Sequence, residues 1–123
     1  MSPAIFLLAV ASISLNALAQ VALRKTMLIA GVPTPSTAYL NYGISLAMNP
    51  WFLSGMLCYA VSIGLWLLVL AKVEVSLAYP LASIGYLIAA TIGYFYLGEN
   101  VTMVRLFGIL LICTGIVFII RSA

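Results

Sequence analysis

The chain has 123 residues, 66% of them hydrophobic and only 6% charged, with a formal net charge of +3. A soluble domain carries about a quarter charged residues, so this composition excludes a water-covered globule and assigns the chain to a bilayer. His and Asp are absent and the only carboxylates are Glu74 and Glu99, which removes Ser-His-Asp and Cys-His nucleophilic sites and most metal sites.

The first span begins near Pro3, which suits a first helical turn, and runs to Leu23 before Arg24 and Lys25. Helical periodicity continues to Ala30, and Gly31 is the stop. Ala17-Leu18-Ala19 resembles a signal-peptidase site. No Lys or Arg precedes the apolar run, however, and the run continues past the site, so the segment reads as a retained span. Ser12, Asn16, Gln20 and Arg24 fall four apart and therefore share one helix face. Amides inside a span are costly unless they meet partners, water or a ligand, so this stripe is expected to face a cavity.

Pro33 and Pro35 break the chain. Residues 36–48 then read as a short helix lying along the membrane surface, capped by Ser36. Thr37, Asn41 and Ser45 fall four apart, and Tyr39, Leu40, Ile44, Leu46 and Met48 occupy the remaining faces. A long loop with aromatic anchors fits the same residues. The second span, 50–71, opens on Asn49-Pro50-Trp51: a cap, a first-turn proline and an interfacial aromatic. It contains Gly55, Tyr59, Ser62, Gly64 and Trp66, and Lys72-Val73-Glu74 forms a very short connection.

The third span, 76–97, carries Pro80 one turn inside its start, where it removes a backbone bond and can kink the helix. With Gly85 it forms a candidate hinge. Tyr79, Ser83 and Tyr86 occupy one face of a continuous helix. Gly98-Glu99-Asn100 is the turn and Thr102 the next cap. The fourth span, 102–121, is the most uniformly apolar, interrupted mainly by Gly108, Thr114 and Gly115.

The expected fold is therefore an all-α integral membrane protein: one domain over residues 1–123, four transmembrane helices, and a short interfacial helix between the first and second. Four spans put both termini on one side with Lys72 and Arg121, against Arg24, Lys25 and Arg105 on the other. That bias is too weak for the positive-inside rule to orient the chain. The scattered basic residues leave no nucleic-acid face. Cys58 and Cys113 lie in apolar stretches and read as packing residues. No cofactor or metal motif is present, and an integral-membrane enzyme is the least favoured class because its acid–base residues are missing. So short a chain encloses little alone, which favours an oligomer.

Several stretches resemble the small multidrug resistance family of the drug/metabolite transporter superfamily: Val75-Ser76-Leu77-Ala78-Tyr79-Pro80, Leu97-Gly98-Glu99, and the Gly108-to-Gly115 heptad, which matches the family's dimer seam. In the family's drug and guanidinium exporters a glutamate in the first span trades protons for cations. The matching position here is Asn16, an amide with no titration near neutral pH. Ala82 stands where the drug exporters carry a tryptophan, which implies a roomier pocket.

Asn16 to Lys25, Leu65 to Leu70 and Ala78-Tyr79-Pro80 resemble instead the small subunits that flip aminoarabinose-phosphoundecaprenol. That resemblance implies a carrier of a polyprenyl-phosphate-linked sugar in the bacterial inner membrane, paired with a similar small subunit or with a second copy. Arg24 or Lys25 suits an anionic phosphate, and Asn16 and Gln20 suit sugar hydroxyls. Ser12, Trp66, Tyr79, Ser83 and Tyr86 complete the candidate binding set. Membrane snorkelling of Arg24 and Lys25, and packing roles for Trp66 and the span-three stripe, stand beside these readings. A secondary transporter of small cations or metabolites is the alternative function, and it needs a coupling carboxylate within the membrane.

Overall fold

A computed structural model describes residues 2–34 and 38–122. Its elements are α1 (Pro3–Ala30), α2 (Tyr39–Ala47), α3 (Pro50–Leu70), α4 (Val75–Leu81), α5 (Ile84–Tyr96) and α6 (Met103–Arg121). Four segments are long and apolar enough to cross a membrane: α1, α3, α4 with α5, and α6.

Local chemistry sets several helix ends. The Ser2 hydroxyl accepts from the Ile5 N–H at 3.3 Å ahead of Pro3. Asn49 Oδ1 accepts from the Trp51 N–H at 2.9 Å with Pro50 in the first turn. Thr102 Oγ1 accepts from the Arg105 N–H at 3.2 Å. Each satisfies an otherwise orphaned backbone donor. Gly31 and Gly98 close their helices with φ of 74° and 68°, in the left-handed region that favours glycine.

The surface helix is shorter than expected. It starts at Tyr39, with Ala38 at the cap position and no side-chain cap. Pro35, the proposed cap Ser36, and Thr37 lie outside the described residues. Asn41 and Ser45 are exposed, as are Tyr39, Leu40, Ile44 and Met48, while Tyr42 and Leu46 turn inward. The Tyr42 hydroxyl donates to the Gly31 carbonyl at 2.6 Å and ties α2 to the end of α1.

The third span differs from a kinked continuous helix. It divides at Ala82–Ser83, two residues beyond Pro80. Pro80 has no N–H to return to Ser76. The chain then tightens: Ser83 N–H reaches the Pro80 carbonyl, Gly85 the Ala82 carbonyl and Tyr86 the Ser83 carbonyl, each at 3.0 Å. These three-residue closures separate α4 from α5.

α1 is the central helix, packed chiefly along α3 and next against α5. Its buried face is made of small residues: Ala9, Ser12, Ala17, Ala19, Ala22 and Thr26, with Ile13. A Cβ built on Gly55 would stand 3.2 Å from Ala22 Cβ and from Leu23, so glycine is what lets α3 lie this close. A buried cluster of Ala9, Ile13, Val69, Val73, Ala78, Leu81 and Ile116 gathers the helices where the α3–α4 connection lies. α6 is the least covered span, with Ile116 its one buried residue.

Candidate functional site

Above that cluster, α1, α3 and the broken third span stand apart around a partly open cleft of about 400 Å³. This is within the usual range of small-molecule sites, about 300–1,000 Å³. α1 contributes Ser12, Ile13, Asn16 and Gln20; α3 contributes Tyr59, Ser62, Ile63 and Trp66; Tyr79, Ala82 and Gly85 come from the two sides of the break. Three members of the first-helix stripe are thus on one wall, and Asn16 lies midway along α1.

The polar groups of the cleft are in two different states. Ser12 and Ser62 are each 2% exposed. The Ser12 hydroxyl donates to the Ser62 carbonyl at 2.7 Å and the Ser62 hydroxyl to the Tyr59 carbonyl at 2.9 Å. Both hydroxyls are spent within the protein, the first tying α1 to α3 and the second closing on its own helix. The amides of Asn16 and Gln20 make no hydrogen bond among the described residues and face the cleft. Each therefore offers two donors and a carbonyl acceptor to whatever enters.

The fourth member of the stripe is elsewhere. Arg24 Nε donates to Glu99 Oε2 at 3.2 Å, with the two side chains 54% and 37% exposed. Glu99 follows the Gly98 turn, and its N–H closes on the Gly93 carbonyl at 3.0 Å. A Cβ on Gly93 would come within 2.7 Å of Glu99 Oε1, so the carboxylate lies in a recess only glycine leaves. Lys25 Nζ sits 6.0 Å from the Trp51 ring centroid, at the outer reach of a cation–π contact. Arg105 donates to the Asn100 carbonyl at 3.1 Å. Arg24, Lys25, Glu99 and Arg105 thus share one end of the bundle.

Ser83 and Tyr86 are not among the lining residues; the break separates them from Tyr79, and Tyr86 is 62% exposed. Of the two hinge residues, Gly85 lines the cleft, where an added Cβ would meet Ile13 Cγ2 at 3.4 Å, while Pro80 lies just before the break. Gly108 and Gly115 have nothing within 4 Å of an added Cβ. Cys58 and Cys113 are half-buried free thiols.

Tyr59, Ser62 and Ile63 escaped the sequence reading as site residues. Their signal was present: Tyr59, Ser62, Ile63 and Trp66 are spaced to share one face of α3. Ala82, the place of the missing tryptophan, does line the cleft.

No family model matches the chain, and no solved structure matches it. Among curated proteins, a probable 4-amino-4-deoxy-L-arabinose-phosphoundecaprenol flippase subunit ArnE of Pseudomonas aeruginosa (strain UCBPP-PA14) is 35% identical over 75 residues, 61% of this chain and 65% of that protein. A probable flippase subunit ArnF of the same system from Shewanella sediminis is 36% identical over 70 residues, 54% of this chain and 48% of that protein. Its counterpart from Sodalis glossinidius is 34% identical over 73 residues, 58% of this chain and 56% of that protein. The match thus spans just under two thirds of the ArnE relative and about half of the ArnF relatives. The chain is a multi-pass membrane protein similar to the ArnE and ArnF flippase subunits.

Proposed function

We propose that the chain is a subunit of a bacterial inner-membrane transporter that flips a polyprenyl-phosphate-linked sugar, such as aminoarabinose-phosphoundecaprenol, between leaflets. The observation that carries this reading is the pair of unengaged amides, Asn16 and Gln20, facing a cleft within otherwise apolar spans. Polar groups at that depth are costly without a partner, and the hydroxyls of a sugar match their donors and acceptors. The likeness to the ArnE and ArnF subunits supports the substrate class.

In this mechanism the sugar enters the cleft while the polyprenyl tail stays among the lipid chains. Asn16, Gln20, Tyr59 and Tyr79 exchange hydrogen bonds with its hydroxyls, and Trp66 forms a flat wall. Ser12 acts by positioning, since its hydroxyl is spent on Ser62. Arg24 or Lys25 receives the phosphate. Bending at Pro80 and Gly85 moves α5 against α1 and brings Ser83 and Tyr86 to the sugar as the cleft changes its open side. A second copy, or a similar small subunit, covers α6 along Gly108 and Gly115 and completes the enclosure. No group in the cleft trades protons, so use of the lipid after flipping supplies the drive. The alternative, proton-coupled export of small cations, needs a carboxylate at the site; among the described residues lining the cleft there is none.

Reconstitution tests the proposal. The chain, alone and with a candidate partner subunit, is placed in vesicles containing lipid-linked aminoarabinose. Protein-dependent movement of the headgroup between leaflets is expected in at least one sample. Its absence from both, or proton release on adding small cations, would refute the reading.

A further inference from the structure

We infer that the Arg24–Glu99 ion pair is an exchangeable receptor for a zwitterionic headgroup, in which a phosphate takes Arg24 and an ammonium takes Glu99. The inference rests on the proposed flippase reading and assigns the recognition of the amine, for which the cleft itself offers no carboxylate.

Four observations carry it. First, Glu99 is one of two carboxylates in the chain, and the other, Glu74, lies in the α3–α4 connection at the opposite end of the bundle. An ammonium arriving at the Arg24 end therefore has one anionic side chain to meet. Second, the existing pair is a single contact through Nε. The terminal guanidinium nitrogens make no hydrogen bond among the described residues, so the fork that suits a phosphate is available. Third, both side chains are substantially exposed. An exposed pair of this kind contributes little to stability, so it separates readily when better partners arrive. Fourth, Gln20 lies one turn from Arg24 on the stripe and lines the cleft, about 6 Å along the helix. A headgroup leaving the pair has a hydrogen-bonding side chain at that distance.

The exchange balances. One ion pair inside the protein is replaced by two between protein and ligand, and no proton moves. Lys25 and Arg105, at the same end, add positive charge that suits the headgroup's phosphate. The recess over Gly93 holds Glu99 beside Arg24 until then.

The test compares two lipids on the full chain in phosphatidylglycerol vesicles, with tryptophan fluorescence as the readout of binding. One is aminoarabinose-phosphoundecaprenol, the other its analogue with a hydroxyl in place of the amine. The unaltered protein is expected to bind the amine-bearing lipid about tenfold more tightly, the scale of one charged hydrogen bond. Glu99→Gln is expected to erase that preference while still binding the hydroxyl lipid, and Glu99→Asp to keep it. Equal binding of the two lipids by the unaltered protein overturns the inference whether or not the variants fold. A preference that survives Glu99→Gln does the same, as does phosphatidylethanolamine competing as well as the amine-bearing lipid. If the unaltered protein binds neither lipid, the flippase reading falls too, which separates that failure from a failure of the ion-pair assignment.

Discussion

Ser12 and Asn16 stand one turn apart on the same helix face, and their chemistry has been put to opposite uses. The Ser12 hydroxyl is buried and donates to Ser62; the Asn16 amide is unengaged and faces the cleft. Ser12→Ala is expected to lower stability by about 0.6–1 kcal/mol, the worth of one interhelical hydrogen bond in a membrane, measured by unfolding in mixed micelles. Asn16→Leu is expected to leave stability unchanged or higher, because it replaces an unpaired amide with an apolar side chain in the bilayer, and to reduce transport. Gly93 offers a third test. The Cβ of Gly93→Ala would meet the flexible end of Glu99, so stability should stay within about 0.5 kcal/mol. The displaced carboxylate frees Arg24, whose modification by an arginine reagent should then quicken. Unchanged reactivity would show that Glu99 keeps its place by another route.

The helices show which parts of this fold were legible in the chain. The caps at Asn49 and Thr102, the first-turn prolines at Pro3 and Pro50, and the glycine stop at Gly31 depend on residues within one turn of each other, and each is found as read. In place of a kink within one helix, the third span breaks at Ala82–Ser83, where tighter three-residue closures follow Pro80. Periodicity drawn through that break grouped Tyr79 with Ser83 and Tyr86, and only Tyr79 lines the cleft. The ion pair of Arg24 joins residues 75 positions apart, and no local pattern announces such a contact. Two substitutions test these elements. Gly55→Val would press its side chain on Ala22 and Leu23 and should cost about 1–3 kcal/mol by overpacking. Pro80→Ala would restore the missing backbone donor and should stabilise the third span by about 1 kcal/mol. It should also slow transport if that span bends during the cycle.

As a whole, the molecule puts its best-packed contact between α1 and α3 and leaves its last helix nearly bare. Along α6, Met103, Val104, Phe107 and Phe118 are all more than 60% exposed, and Gly108 and Gly115 present open surface seven residues apart. Lipid suits the bulky positions, while close approach by another helix suits the glycines. Gly108→Leu combined with Gly115→Leu is accordingly expected to abolish cross-linking between subunits through α6 while leaving the helical content intact. Persistent cross-linking would place the subunit contact on another face.

The most direct test of the cleft as the route of a sugar headgroup is a flipping assay comparing the unaltered chain with Asn16→Leu, each reconstituted at equal density with a candidate partner subunit. Protein-dependent transfer of lipid-linked aminoarabinose between leaflets is expected for the unaltered chain, falling about tenfold or more for Asn16→Leu as one unmatched buried hydrogen-bonding group is introduced along the path. Equal rates for the two proteins would contradict the account.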